Sequence, residues 1–206
     1  MIGIFGGTFN PIHYGHLRPA LEVLQAHQLE KIHFIPLNIA VHRQQPKTNI
    51  KYRLEMLEVA VINQSQFIID KRELAINKPS YTINTLKSLH QEFNNQSFCL
   101  IIGMDSFLSF AQWQAPEEIL KLAHLMVMSR PDYVLTKKNP YFERITKNKK
   151  DLKTHPAGKI FIQPVTPLAI SSSQIRQLRQ KNQSLDYLLP PRCIGIIKAN
   201  QLYQNN

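Results

Sequence analysis

Residues 6–16 read Gly6-Gly7-Thr8-Phe9-Asn10-Pro11-Ile12-His13-Tyr14-Gly15-His16, and the rest of the chain is best read outward from them. Ahead of them, Met1-Ile2-Gly3-Ile4-Phe5 is a short apolar run cut off by the glycine pair, the pattern of a buried strand entering a tight turn. Behind them, Leu17, Ala20, Leu21 and Leu24 recur at spacings of three and four, with Glu22 and Gln25 turned outward, which predicts a helix. Glycines at a strand end let the backbone approach a ligand closely, and the N–H groups of the turn and the helix start favour anions. His13 and His16 are three apart, so both imidazoles can reach one bound group. Two such donors over a phosphate favour the charge that builds up during group transfer.

Other uses of this loop fit less well. No lysine with a following Ser or Thr comes after the glycines, and the Gly158-Lys159 pair is followed by Ile160, so it is not a Walker loop. The glycine spacing is not that of a GxGxxG dinucleotide fingerprint either. A metal site needs further ligands, and no cysteine or carboxylate in the segment completes a set with the two histidines.

Strand and helix signals alternate along the remaining chain. Residues 32–37, 67–70, 98–102, 124–128 and 159–163 read as strands, the third ending at Gly103. Helical period returns over 51–62 through Leu54, Leu57, Ala60 and Val61, and over 81–93 through Ile83, Leu86 and Leu89. Such alternation predicts an α/β fold, a parallel sheet with helices on both faces, as one domain over residues 1–206. Ligands of such sheets collect beyond the carboxyl ends of the strands. Ser171 and Gln174 have capping-box spacing, which predicts a further helix starting there.

Composition narrows the class. At 206 residues, 43% hydrophobic and 19% charged, the chain is long and apolar enough to bury a core. Two cysteines, Cys99 and Cys193, cannot build a disulfide framework or a zinc cluster. There is no charged-then-apolar leader, and no apolar run approaches the roughly 18 residues of a membrane span. A reduced, cytoplasmic protein without membrane contact is the expectation. The net charge of +11 is uneven: residues 1–136 carry 12 basic and 11 acidic side chains, whereas 137–153 carry seven and two. This lysine-rich stretch reads as an exposed connection or a partly helical insertion. A basic nucleic-acid-binding module is the distant alternative, but the stretch lacks a recognition-helix pattern and stacking aromatics, so no nucleic-acid partner is expected.

Residues 6–16 resemble the GGTFDPxHxGH signature of the HxGH nucleotidylyltransferases, whose fold is a Rossmann-like α/β sheet. Asn10 stands where Asp is common; the amide keeps a turn-forming side chain and loses the charge. Residues 170–176, Ile-Ser-Ser-Ser-Gln-Ile-Arg, resemble the ISSTxIR motif of the same superfamily. That resemblance implies that Ser172, Ser173 and Arg176 bind the β and γ phosphates of ATP, with Arg176 joining His13 and His16 as a catalytic residue. It also implies ATP contacts from Gly6, Gly7, Thr8, Phe9, Gly103, Asp105 and Ser106, with Asp105 suited to ribose hydroxyls.

The middle of the chain bears on the acceptor. Pro79-Ser80-Tyr81-Thr82, Gly103-Met104-Asp105-Ser106, Trp113 and Ser129-Arg130-Pro131-Asp132-Tyr133 are similar, in order, to the PSYT, GxDS, tryptophan and RPGY landmarks of bacterial nicotinate-nucleotide adenylyltransferases. Asp132 replaces the usual Gly. Asn38 and His42-Arg43 resemble that family's second-strand loop. The resemblance implies ATP and nicotinate mononucleotide as substrates, the second held by Asn38, His42, Arg43, Tyr81, Thr82, Trp113 and Arg130. A nicotinate ring needs a flat partner, which Trp113 can supply, and donors for its carboxylate, which N–H groups around Tyr81 and Thr82 can supply. Mg²⁺ is expected as the cofactor, held mainly by ATP phosphates and water rather than by protein ligands. Nicotinamide mononucleotide and phosphopantetheine are the alternative acceptors, and the sequence leaves open whether the chain forms a homo-oligomer.

Overall fold

The opening apolar run forms β1 (Ile2–Gly7), an interior strand of a seven-stranded sheet, in a computed structural model that describes residues 1–38, 45–75, 79–129 and 135–204. The other strands are β2 (Lys31–Pro36), β3 (Phe67–Ile69), β4 (Phe98–Gly103), β5 (His124–Met128), β6 (Ile145–Thr146) and β7 (Ile160–Gln163). The helices are α1 (Tyr14–His27), α2 (Ile50–Val61), α3 (Thr82–Glu92), α4 (Met104–Leu108), α5 (Pro116–Leu122), α6 (Asp151–Thr154), α7 (Ser172–Gln180) and α8 (Pro191–Ala199). The strand order is β3-β2-β1-β4-β5-β7-β6, with every pairing parallel.

Strand side chains alternate between two cores, as period two requires. Phe5, Phe34, Cys99, Ile101 and Met126 join one core with Val23 and Leu24 of α1, Met56 and Leu57 of α2, and Ile197 of α8. Ile4, Leu100, Ile102, Leu125 and Val127 join the other with Leu86 and Leu89 of α3 and Ile119 of α5. The expected Rossmann-like α/β sheet with helices on both faces is therefore observed. Burial pushes both thiols, Cys99 and Cys193, up to about 12, so they remain protonated side chains.

Hydrophobic period does not anticipate α4, α5, α6 or β6, which run from two to seven residues and are too short to display one. The lysine-rich stretch 137–153 forms a 3₁₀ turn, the edge strand β6 and α6, anchored by buried Tyr141 and Leu152. It reaches the far end of α1, where Lys149 Nζ donates to the Ala26 carbonyl at 3.4 Å.

The topology also creates an opening. After β1 the chain builds outward to β2 and β3, then returns to place β4 on the other side of β1. The β1–β2 pairing continues to Gly7 opposite Pro36, whereas the β1–β4 pairing stops at Ile4 opposite Leu100. Beyond that point the two strands part, and their following loops leave a crevice at the carboxyl end of the sheet.

Candidate active site

A cleft of about 880 Å³ fills this split. One wall is the loop after β1. Phe9 takes a left-handed backbone, φ 43°, and buries its ring edge-on to Phe5 at 5.8 Å and to His16 at 5.4 Å. His13, 2% exposed, is the N-cap residue of α1 with an extended backbone, so it precedes the helix rather than riding on it. The first helical turn nevertheless brings His16 to it, ring centroids 3.8 Å apart. Gly15 makes this packing possible: a Cβ there would sit 2.9 Å from both His13 Nδ1 and the Ile170 carbonyl oxygen.

The opposite wall is the start of α7. Ser171 caps the helix, its hydroxyl accepting from the Gln174 N–H at 3.1 Å, as the spacing predicts. Two neighbours tie the helix to the β1 loop: Ser172 Oγ donates to the Pro11 carbonyl at 2.9 Å, and Arg176 Nη1 donates to the Asn10 carbonyl at 2.7 Å. Arg176 Nη2 also reaches Ser173 Oγ at 3.2 Å. A helix N-terminus, two hydroxyls and a guanidinium thus face the histidine loop, an arrangement suited to a polyphosphate.

The floor and far side come from β4 and α3. Gly103 is the N-cap residue of α4 and puts Asp105 and Ser106 at the cleft edge. Tyr81 is the N-cap residue of α3 and provides no side-chain cap. Beneath it Glu73, 6% exposed, accepts from Thr85 Oγ1. Burial raises the Glu73 carboxyl, against hydrogen bonds from Ser80 and Thr85 that lower it. Trp113 follows a 3₁₀ turn and lines the cleft while packing on buried Phe110 at 5.4 Å, so it belongs to both the site and the edge of a core.

Fifteen of the expected site residues therefore line one cleft: Gly6, Gly7, Thr8, Phe9, His13, His16, Tyr81, Thr82, Gly103, Asp105, Ser106, Trp113, Ser172, Ser173 and Arg176. Asn38 lines a smaller polar pocket of about 260 Å³ with Lys47, Asn49 and Arg53. His42, Arg43 and Arg130 lie outside the described residues.

Two further residues shape the site and were not singled out in sequence. Arg53, 2% exposed, donates Nη1 to the carbonyls of Thr8 at 2.7 Å and Leu37 at 3.0 Å, joining the loops after β1 and β2. Its burial lowers the guanidinium pKa, with Tyr203 acting in the opposite sense. A signal existed: Arg53 shares the i, i+3, i+4 face of α2 with apolar Met56 and Leu57, where a cation is out of place. Tyr203, beyond α8, donates to Asn10 Oδ1 at 2.8 Å.

Residues 4–178 match the cytidylyltransferase-like family. The chain is 42% identical over 211 residues to the "Probable nicotinate-nucleotide adenylyltransferase" of Psychromonas ingrahamii, covering 98% of this chain and 97% of that protein. The chain belongs to the nicotinate-nucleotide adenylyltransferase family. It is 40% identical over 207 residues to the nicotinate-nucleotide adenylyltransferase of Escherichia coli O157:H7, covering 98% and 97% of the two. The Plasmodium falciparum nicotinic acid mononucleotide adenylyltransferase complexed with NaAD matches with a TM-score of 0.75 at 18% identity, over 98% of this chain and 96% of that one, which shows a shared fold. As a family member the chain is an enzyme, a nucleotidyltransferase. In this adenylyltransferase the cytidylyltransferase-like match ends within α7, so α8 and Tyr203 lie beyond it.

Proposed function

We propose that the enzyme joins ATP and nicotinate mononucleotide to give nicotinate adenine dinucleotide and pyrophosphate, the adenylyl transfer of NAD biosynthesis. The observation that carries this reading is the shared cleft: the His13–His16 pair and the Ser172–Arg176 end of α7 border the same space, in reach of one triphosphate. A phosphate oxygen of the mononucleotide attacks the α-phosphorus in line, and the bond to the β-phosphate breaks. Pyrophosphate leaves toward Ser172, Ser173 and Arg176. His13 and His16 donate to the α-phosphate and bridging oxygens as charge grows there, with no covalent enzyme intermediate. Gly6, Gly7, Thr8 and Phe9 let the triphosphate approach the backbone, and Gly103, Asp105 and Ser106 hold the adenosine ribose.

On the acceptor side, Trp113 offers its face to the nicotinate ring, and N–H groups at Tyr81 and Thr82 meet its carboxylate. Asn38, His42, Arg43 and Arg130 serve the mononucleotide phosphate. A site built for a carboxylate rejects the amide form, which removes an anionic acceptor and brings N–H groups without partners. Among the described residues no group of three His, Cys, Asp or Glu side chains gathers, and Asp105 is the acid lining the cleft. That donor set fits Mg²⁺ held mainly by phosphate oxygens and water, where it would screen the triphosphate charge. No helix among the described residues is long and apolar enough to cross a membrane. Two buried thiols suit a reducing cytoplasm, and the chain acts as one catalytic domain.

The deciding experiment supplies ATP and Mg²⁺ with nicotinate mononucleotide, nicotinamide mononucleotide or phosphopantetheine and follows pyrophosphate. Release with the first acceptor, and far less with the others, is expected. Preference for another acceptor would overturn the assignment of the Tyr81, Thr82 and Trp113 side.

A further inference from the structure

The turn that precedes His13 is gripped by residues distant in sequence. Arg53 holds the Thr8 carbonyl, Arg176 holds the Asn10 carbonyl, and the Tyr203 hydroxyl donates to the Asn10 side chain at 2.8 Å. Tyr203 arrives after α8, where the chain closes with Leu202 N–H on the Ile197 carbonyl at 3.0 Å, and both residues pack against the α1–α2–α8 core. Its backbone is left-handed, φ 61°, as is that of Phe9 at φ 43° beside Asn10. Non-glycine residues persist in that region where their surroundings over-determine them, and such positions concentrate at functional sites. Positive φ occurs at eight described non-glycine residues, and what sets Tyr203 and Phe9 apart is that the hydrogen bond to Asn10 brings the two turns together.

We propose that Tyr203 is a positioning residue for the transfer reaction: its hydroxyl, donated to Asn10 Oδ1, fixes the turn at residues 9–11 so that His13 and His16 meet the reacting phosphate. The inference rests on the reading of the cleft as the transfer site. Packing alone does not call for the hydroxyl, since a phenyl ring fills the same space. Burial raises the phenol pKa, partly offset by a hydrogen bond with Thr48, so the hydroxyl stays protonated and remains a donor through neutral pH. Asn10 keeps an acceptor at this position although it lacks the charge of an aspartate. The hold spans nearly the whole chain, linking its last turn to its first loop.

The test compares Tyr203→Phe, Asn10→Ala and the double variant with the full-length wild type. Tyr203→Phe is expected to lower kcat about tenfold, since small misplacements of reacting groups are costly, while both KM values stay within about twofold. The double variant should be no slower than the worse single one, because both remove the same contact. Amide exchange over residues 8–16 should quicken about tenfold in Tyr203→Phe while β4 is unchanged. A Tyr203→Phe kcat within twofold of wild type, or additive losses in the double variant, would overturn the proposal even if the melting temperature fell. If the wild type releases no pyrophosphate with nicotinate mononucleotide, the reading of the cleft fails instead. The exchange data then decide the hold itself, and unchanged exchange refutes it.

Discussion

The rings of His13 and His16 lie 3.8 Å apart at an interplanar angle of 33°, with His13 buried and His16 partly exposed at the cleft. One imidazole thus backs the other against the wall formed by Phe9. His16→Ala should lower turnover by roughly 10² to 10³, the loss typical of a preorganised donor to developing charge, and leave the melting temperature within a few degrees. Pyrophosphate release and thermal unfolding of the same preparation check both halves. Near-normal turnover would remove His16 from the chemistry.

Gly15→Ala should damage the site through His13. The added methyl would stand 2.9 Å from the His13 ring and from the Ile170 carbonyl, and the second is backbone that cannot rotate away. Overpacking of this kind costs about 1–3 kcal/mol, and the displaced imidazole should slow transfer by at least tenfold. Urea unfolding and kcat measure the two effects separately.

Trp113 is the single tryptophan of the chain, so its fluorescence reports on the part of the cleft that it lines. Nicotinate mononucleotide should quench it in a saturable way, and ATP by itself should leave it nearly unchanged. Stacking on an aromatic face is worth about 1–3 kcal/mol, so Trp113→Ala should raise the mononucleotide KM roughly tenfold or more while the ATP KM holds. Equal increases in both would place Trp113 among the structural residues.

Acid stability should depend on Asp70. It accepts from His33 Nδ1 at 3.0 Å and pairs with Arg72 at 2.8 Å. Burial raises its carboxyl, but the His33 and Arg72 bonds outweigh that and hold it at about 2, below the ordinary 3.8. Because the folded pKa is the lower one, the stabilisation is present above about pH 4 and disappears as pH falls toward 2. It amounts to about 2 kcal/mol at one pKa unit per 1.36 kcal/mol. Asp70→Asn should lose this acid limb, giving a flatter stability profile between pH 5 and pH 2.5 in urea titrations; an unchanged slope would contradict the assignment.

Much of this architecture was legible because it rests on local pattern. Apolar runs at residues 2–5 and 98–102 mark central strands, and Ser171 with Gln174 marks a helix start that the structure realises as a cap. The glycines and paired imidazoles of residues 6–16 mark the loop that lines the cleft. Arg53 shows in sequence only as a cation on the apolar face of α2, and Tyr203 not at all, because their partners, Thr8 and Asn10, are 45 and 193 residues away, beyond any helical or strand period. The short helices α4 and α5, which carry Asp105 and frame Trp113, are fixed by tertiary packing of Phe107, Phe110 and Ile119 rather than by repeat.

The contact between Lys149 and the last turn of α1 sets the electrical geography of the molecule. His13 stands at one end of that helix and the lysine at the other, with 14 residues, or roughly 21 Å, of helix between them. Screening at physiological ionic strength acts over about 8 Å, so Lys149 is insulated from the histidine pair by more than two such lengths. The charge at this end of α1 therefore has little say in catalysis. Replacing Lys149 and Lys153 by glutamine would change how the protein migrates and what surfaces it adheres to, while the ionic-strength dependence of its kinetics stayed with the cations of the cleft.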